Sequence, residues 1–274
     1  MTFSIVARVG NAYGVAVASK FIAVGSVVPL ARLGVGAIAT QAMAKVSYAA
    51  DGLEMLAAGS TATDTVARLT GADEGRDNRQ LGVVGVSGQS TFTGPACMEW
   101  AGGVAGGDAD GGYAIQGNIL VGEQVVLGME QAWLDHPSLP LAARLMRALV
   151  AGDNAGGDRR GRQSAALYAV APGAGYDHCG VIADLRIDDH PEATQQLVAL
   201  FDLHDLYFGS PGTVLPLEGA LAEEVRVHLR SLGRSQPDLV EALRDWAGEA
   251  NLEMRLTPGG IDSRVLEMLR TAHR

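Results

Sequence analysis

The chain is poor in cysteine, lysine, aromatic residues and long apolar runs, and each shortage excludes something. Two cysteines among 274 residues, Cys97 and Cys179, make neither a disulfide scaffold nor a zinc knuckle. Of 21 basic residues only Lys20 and Lys45 are lysines. A formal net charge of -10 argues against nucleic acid and anionic membrane surfaces as partners. Apolar stretches are broken by Gly, Ser or charge well short of a membrane span. No basic-flanked apolar run opens the sequence, so no signal peptide is read and the cytoplasm is the expected location.

What is abundant is glycine, with 36 residues and no triplet period, so collagen is excluded. Six of these fall in AGGVAGGDADGG (101–112), read as a glycine-rich loop. With 47% hydrophobic and 19% charged residues, the chain has the composition of a globule and not of a disordered segment.

The segments 2–9 and 13–19 alternate around Gly10-Asn11 and predict an N-terminal hairpin. Strands are also predicted at 24–30, 35–41, 81–87, 90–94, 113–119, 164–170 and 180–187. Helices are predicted at 48–58, from Thr61 or Thr63 through Leu69, and at 123–135, 138–150 and 191–207. Hairpin-joined strands with helices in pairs predict an α+β fold, antiparallel sheets covered by helix layers. After Ser210-Pro211-Gly212 the pattern turns helical, which divides the chain into domains 1–211 and 212–274.

Thr2 follows Met1, and removal of that methionine would free an N-terminal threonine. Its α-amine, with a pKa of about 8, could then serve as its own general base. Lys20 closes the second strand and is either a cation beside that site or an exposed strand-end lysine. Gln41, Gln116 and Asn118 end strands, as pocket-lining amides or polar turn residues, and Asn118 offers the donor that an oxyanion needs. Arg159, Arg162 and Ser164 belong to GGDRRGRQS, which lacks the GK[ST] ending of a phosphate loop and suits a carboxylate instead. In DLRIDDH, Asp184, Arg186, Asp188 and His190 share one strand face. A metal set is open there, but the adopted reading pairs Arg186 with both aspartates to support the arginine-rich loop. Metal and cofactor are expected to be absent. Cys97 is read as a small buried residue.

The stretches MTFSIVAR, GVAVASKF, VGSVVP, GVGAIATQA, QGNIL, AGGDRRGRQSAAL and DLRIDDHP together resemble the family known as domain of unknown function 1028. That family is similar to N-terminal-nucleophile (Ntn) hydrolases, which implies a four-layer αββα sandwich. Residues 213–274 resemble the helical tail, a peptidoglycan-binding type of module, that such proteins often carry. The resemblance favours Thr2 and Asn118 as catalytic residues; Lys20, which stands where proteasome-like relatives carry an acidic residue, is taken with them, and Gln41, Gln116, Arg159, Arg162 and Ser164 are expected to bind a small anionic substrate. The expected activity is hydrolysis of a small carboxylate-bearing amide, and the alternative is a ligand-binding protein without catalysis. A homodimer is expected, and glycan and protein partners stay open for the C-terminal module.

Overall fold

In the computed structural model, which describes residues 2–107, 110–209 and 211–272, regular structure starts with the hairpin. Strands Thr2–Val9 (β1) and Ala12–Ser19 (β2) pair antiparallel, and Gly10 turns between them at φ +56°. Strands Pro29–Arg32 (β3) and Gly36–Ala42 (β4) follow, then helices Ser47–Ala57 (α1) and Ala62–Gly71 (α2). Next come strands Arg79–Gly85 (β5), Gly88–Thr93 (β6), Trp100–Gly107 (β7) and Gly111–Leu120 (β8). Helices Gln124–Leu134 (α3) and Leu141–Asn154 (α4), strands Ser164–Val170 (β9) and Val181–Ile187 (β10), and helix Ala193–Phe208 (α5) complete the series. The chain divides into two compact units, Met1–Leu200 and Phe201–Arg274.

In the first unit two antiparallel sheets form, ordered β10-β9-β2-β1-β8-β7 and β3-β4-β5-β6. β1 is central, and every residue from Thr2 to Ala7 is buried because both sheet faces are covered. Part of the layer between the sheets is aliphatic, with Val6, Val15, Val17, Val28, Ala39 and Val84 in one cluster. α1 and α2 cover the outer face of the smaller sheet, packing Tyr48, Leu53, Val66 and Leu69 on Ile38, Leu81 and Val83. Thr61 caps α2 by accepting from Asp64 N–H at 3.0 Å, which satisfies one of the amides that a helix start leaves unpaired. α4 packs on β1, β2 and β9, and Gly14 and Gly152 keep that contact close: a Cβ at Gly14 would lie 2.8 Å from Leu145.

Two predicted elements differ. The 24–30 stretch is a 3-10 turn at Val24–Ser26 followed by β3. Gly25 lies so close to β9 that a Cβ would meet that of Ala166 at 2.5 Å, so the chain turns there instead of extending. The expected glycine-rich loop is largely β7 and the start of β8; Asp108 and Ala109 within it lie outside the described residues. Its glycines allow close packing: a Cβ at Gly103 would come within 2.6 Å of Ile115 O, and one at Gly106 would strike the Tyr113 hydroxyl.

The second unit contains the short strands Val214–Pro216 (β11) and Gly260–Asp262 (β12), which pair with each other and were not foreseen in a helical tail. Around them stand Gly219–Ser231 (α6), Leu239–Glu249 (α7) and Ser263–Thr271 (α8). Val225, Leu229, Leu243, Trp246, Ile261 and Leu269 fill its core. Arg255 is buried and pairs with Asp262 at 3.3 Å and Asp205 at 3.2 Å, while its Nε donates to Leu206 O at 2.6 Å. Among the described residues no helix is long and apolar enough to cross a membrane.

Candidate functional site

At the end of β1, Thr2 sits in ladder register with Asn118 on β8 and is only 5% exposed. Its Oγ1 shares a hydrogen bond of 3.1 Å with Ser19 Oγ at the end of β2. The Thr2 carbonyl accepts from Gln41 Nε2 at 3.2 Å and from Asn118 Nδ2 at 3.5 Å. Met1, whose removal would free the Thr2 α-amine, lies outside the described residues.

Behind Thr2 the inter-sheet layer is polar. Gln80 Oε1 accepts from Gln41 Nε2 at 2.7 Å and Asn118 Nδ2 at 2.9 Å. Gln80 Nε2 donates to Gly117 O at 2.7 Å and to Thr93 Oγ1 at 2.8 Å. Ser4 Oγ donates to Gln41 Oε1 and accepts from Gln116 Nε2, both at 2.7 Å. Thr91 Oγ1 closes the set on Gln116 Oε1 at 3.1 Å. Burying amides costs free energy unless they are paired, and here four nearly inaccessible amides pair with one another, with hydroxyls and with strand carbonyls. Gln41 and Gln116 therefore hold the sheets and the Thr2 carbonyl; no face of either is presented to solvent.

The backbone around this sheet end is strained. Among the described residues seven non-glycine residues have positive φ, and four stand here: Ala23 after β2, Ala42 at the end of β4, Glu99 before β7, and Ile119 after Asn118. A β-branched residue at φ +50° is a true outlier, and such conformations gather at functional sites. The β7–β8 ladder shifts register in the same place. Ile119 also joins two loops, donating to Met98 O at 3.1 Å and accepting from Arg159 N at 3.3 Å.

The arginine-rich loop reaches this end by anchors other than those expected. Asp158 Oδ2 accepts from Lys20 N–H at 2.7 Å, and Oδ1 from Arg160 N–H at 2.9 Å. Arg162 Nε donates to Asp153 at 2.7 Å, and Lys20 Nζ to Arg162 O at 3.3 Å. Ser164 Oγ accepts from Val24 N–H at 3.1 Å and donates to Phe21 O. Arg159 points outward onto Glu99 at 2.9 Å. Arg186 pairs with Asp188 at 3.1 Å on an exposed edge, and Asp184 stands outside that pair. The segment after β10 instead supports the loop at Gln163: His190 N–H donates to Gln163 O at 2.7 Å, and Gln163 Nε2 to Asp189 Oδ1 at 3.1 Å.

Thr2, Gln41, Gln116 and Asn118 thus join one hydrogen-bonded set. Lys20 and Arg162 join a second set with Asp158 and Asp153, which meets the first through the adjacent residues Ser19 and Lys20; Ser164 instead bonds Phe21 and Val24, and Arg159 stands on the rim. Asp184, Arg186 and Asp188 lie apart from both. Ser4, Ser19, Gln80, Asp153 and Asp158 went unread in the sequence; the two aspartates were visible beside the arginines, in GDNAGGDRR. Burial pushes the Cys97 thiol up, and its Sγ donates to Arg79 O at 3.4 Å, an environment unsuited to a nucleophile. Tyr48 is shifted upward by burial and by its bond to Asp73, whose own carboxyl is held down to about 2 by that hydroxyl and by Arg79. Among the described residues no group of three or more His, Cys, Asp or Glu is placed to hold a metal.

The chain belongs to the family of unknown function DUF1028, which matches residues 2–197. Residues 207–269 match a domain described as "putative peptidoglycan binding domain". A crystal structure of a DUF1028 protein from Silicibacter pomeroyi is similar at 28% identity and a TM-score of 0.64, over 81% of this chain and 92% of that one. No curated protein matches the chain significantly.

Proposed function

We propose that the first unit is an Ntn-type αββα sandwich that hydrolyses a small amide bearing a carboxylate. The reading rests on one observation: Thr2 begins the central strand at a strained sheet end, with its hydroxyl on Ser19 and its carbonyl held by two amides. Once Met1 is removed, Thr2 Oγ1 adds to the amide carbon and its proton passes to the free α-amine. The α-ammonium then protonates the leaving amine as the C–N bond breaks. Water, deprotonated by the same amine, hydrolyses the resulting ester and regenerates Thr2. Asn118 Nδ2 is the side-chain donor for the oxyanion, since its 3.5 Å bond to Thr2 O is long enough to yield to a stronger acceptor. Lys20 and Arg159 orient the anionic substrate from the rim.

Intact-mass measurement should show Met1 absent, and a panel of small carboxylated amides should include one that is turned over. Thr2→Ala should abolish that turnover. Retained Met1 in active protein would end this mechanism. The second reading, a binding protein that keeps the fold without catalysis, is favoured by the burial of Thr2 and the mutual pairing of the amides. In that case Thr2→Ala would leave ligand affinity intact.

For the second unit a glycan partner fits the domain match. A cavity of about 630 Å3 lined by Leu217, Leu239, Leu243, Leu256 and the arginines 226 and 244 is a suitable groove. Co-sedimentation of the full chain with insoluble peptidoglycan tests this. Recovery of the protein in the cell-wall fraction and not in the cytosol would overturn the expected cytoplasmic location.

A further inference from the structure

Between the arginine-rich loop and the first turn of α5 lies a cavity of about 50 Å3, lined by Ser19, Asp153, Asp158, Arg162, Ser164 and Thr194 among others. One liquid water takes about 30 Å3, so this space suits one or two waters or a single carboxylate group. Thr194, the second residue of the 16-residue helix, is 2% exposed, lines the cavity, and its Oγ1 has no hydrogen-bond partner. A buried hydroxyl left unpaired costs about 1–3 kcal/mol, which calls for an occupant.

The chemistry of that occupant follows from which groups are already engaged. Asp153 accepts from Arg162 Nε at 2.7 Å and from Gln195 Nε2 at 3.2 Å. Asp158 accepts from the Lys20 and Arg160 backbone and pairs with the Arg160 side chain at 3.3 Å. Both carboxylates are thus turned onto protein donors and balanced by arginines. Arg162 uses only Nε in its bond to Asp153, so its two terminal nitrogens remain as donors; its side chain is 41% exposed, and both Arg162 and Thr194 line the cavity. The N-terminal end of α5 adds partial positive charge.

We infer that this cavity is a carboxylate subsite, in which the Arg162 terminal nitrogens and Thr194 Oγ1 bind the carboxylate of the substrate. This deepens the proposed hydrolase reading, because Ser19 both lines the cavity and bonds Thr2 Oγ1. A carboxylate held here tethers the substrate on one side of the sheet end while its amide reaches Thr2 on the other. Arg162 and Thr194 are binding residues, and neither touches the reacting atoms.

The test uses the full chain with acetate as probe, chloride at equal ionic strength and acetamide as controls, read by calorimetric titration and thermal shift. Acetate should bind saturably. Arg162→Gln and Thr194→Val should each weaken it at least tenfold, and Thr194→Ser should restore it. Circular dichroism checks that each variant folds, and Arg162→Gln carries the test if Thr194→Val does not. Overturning results are acetate no better than chloride, acetamide binding as tightly as acetate, or both binding-residue variants matching the wild type. Acetate binding without any amide turnover would remove the hydrolase reading and leave the subsite standing.

Discussion

The layer between the two sheets is built in two ways. Around β2, β3 and β9 it is Val15, Val17, Val28 and Ala166, side chains that need no partner and tolerate small shifts. Around the ends of β1, β4, β5 and β8 it is Ser4, Gln41, Gln80, Gln116 and Asn118, which stabilise the fold only while every bond is made. The apolar part holds the sheets together by area. The polar part fixes one register and one orientation at the Thr2 end, at the risk of a steep loss if any member goes. Strained residues collect beside the polar part, where a rigid network can over-determine the backbone.

That contrast can be broken most sharply at Gln80. Gln80→Leu removes the shortest acceptor of the Gln41 and Asn118 amides, which keep only their longer bonds to strand carbonyls, and takes the Gln80 donor from two strand carbonyls and the Thr93 hydroxyl. It should lower unfolding free energy by about 4 kcal/mol, since each weakened or unpaired group costs about 1–3. Val17→Ala, in the apolar part, should cost only about 2 kcal/mol. Equal losses in chemical denaturation would show that the two parts are energetically alike. Ile119→Gly is smaller. Releasing the left-handed strain offsets the lost burial of a half-buried isoleucine and the added chain entropy of glycine, so stability should change by less than about 1 kcal/mol while whatever activity or binding the Thr2 end supports weakens. The smallest effect concerns acid. Asp73, bonded to Tyr48 and Arg79, has its folded pKa depressed to about 2, so its contribution is complete above the ordinary carboxylate value and fades as pH falls toward 2. Asp73→Asn should therefore flatten the stability profile between about pH 4 and 2, and a profile identical to wild type would sink the assignment.

Alternation made the strands legible, and most of the sheet ladder lies where period-two segments predicted it. β7 was hidden because glycine has no side chain with which to show a period. The amide network was hidden for a different reason. Gln41 and Gln116 show in sequence only as polar strand ends, yet each network amide also meets a partner on the facing sheet: Gln41 meets Ser4, Gln80 meets Asn118 and Gln116 meets Thr91. The Thr2 end was legible as a place, from the hairpin and the strand-end amides. Which side chains anchor the arginine-rich loop was not, because Asp153 binds across a turn and Asp158 reaches β2 from 138 residues away.

The sheet order carries a consequence for synthesis on the ribosome. β1 and β2 form early as a hairpin, but their outer neighbours are β8 and β9, made roughly a hundred and a hundred and fifty residues later. Through that interval the hairpin presents two unpaired edges of apolar β-branched sequence, the kind of surface on which nascent chains aggregate. Non-local pairing of this sort folds slowly, which lengthens the interval in which those edges stand open.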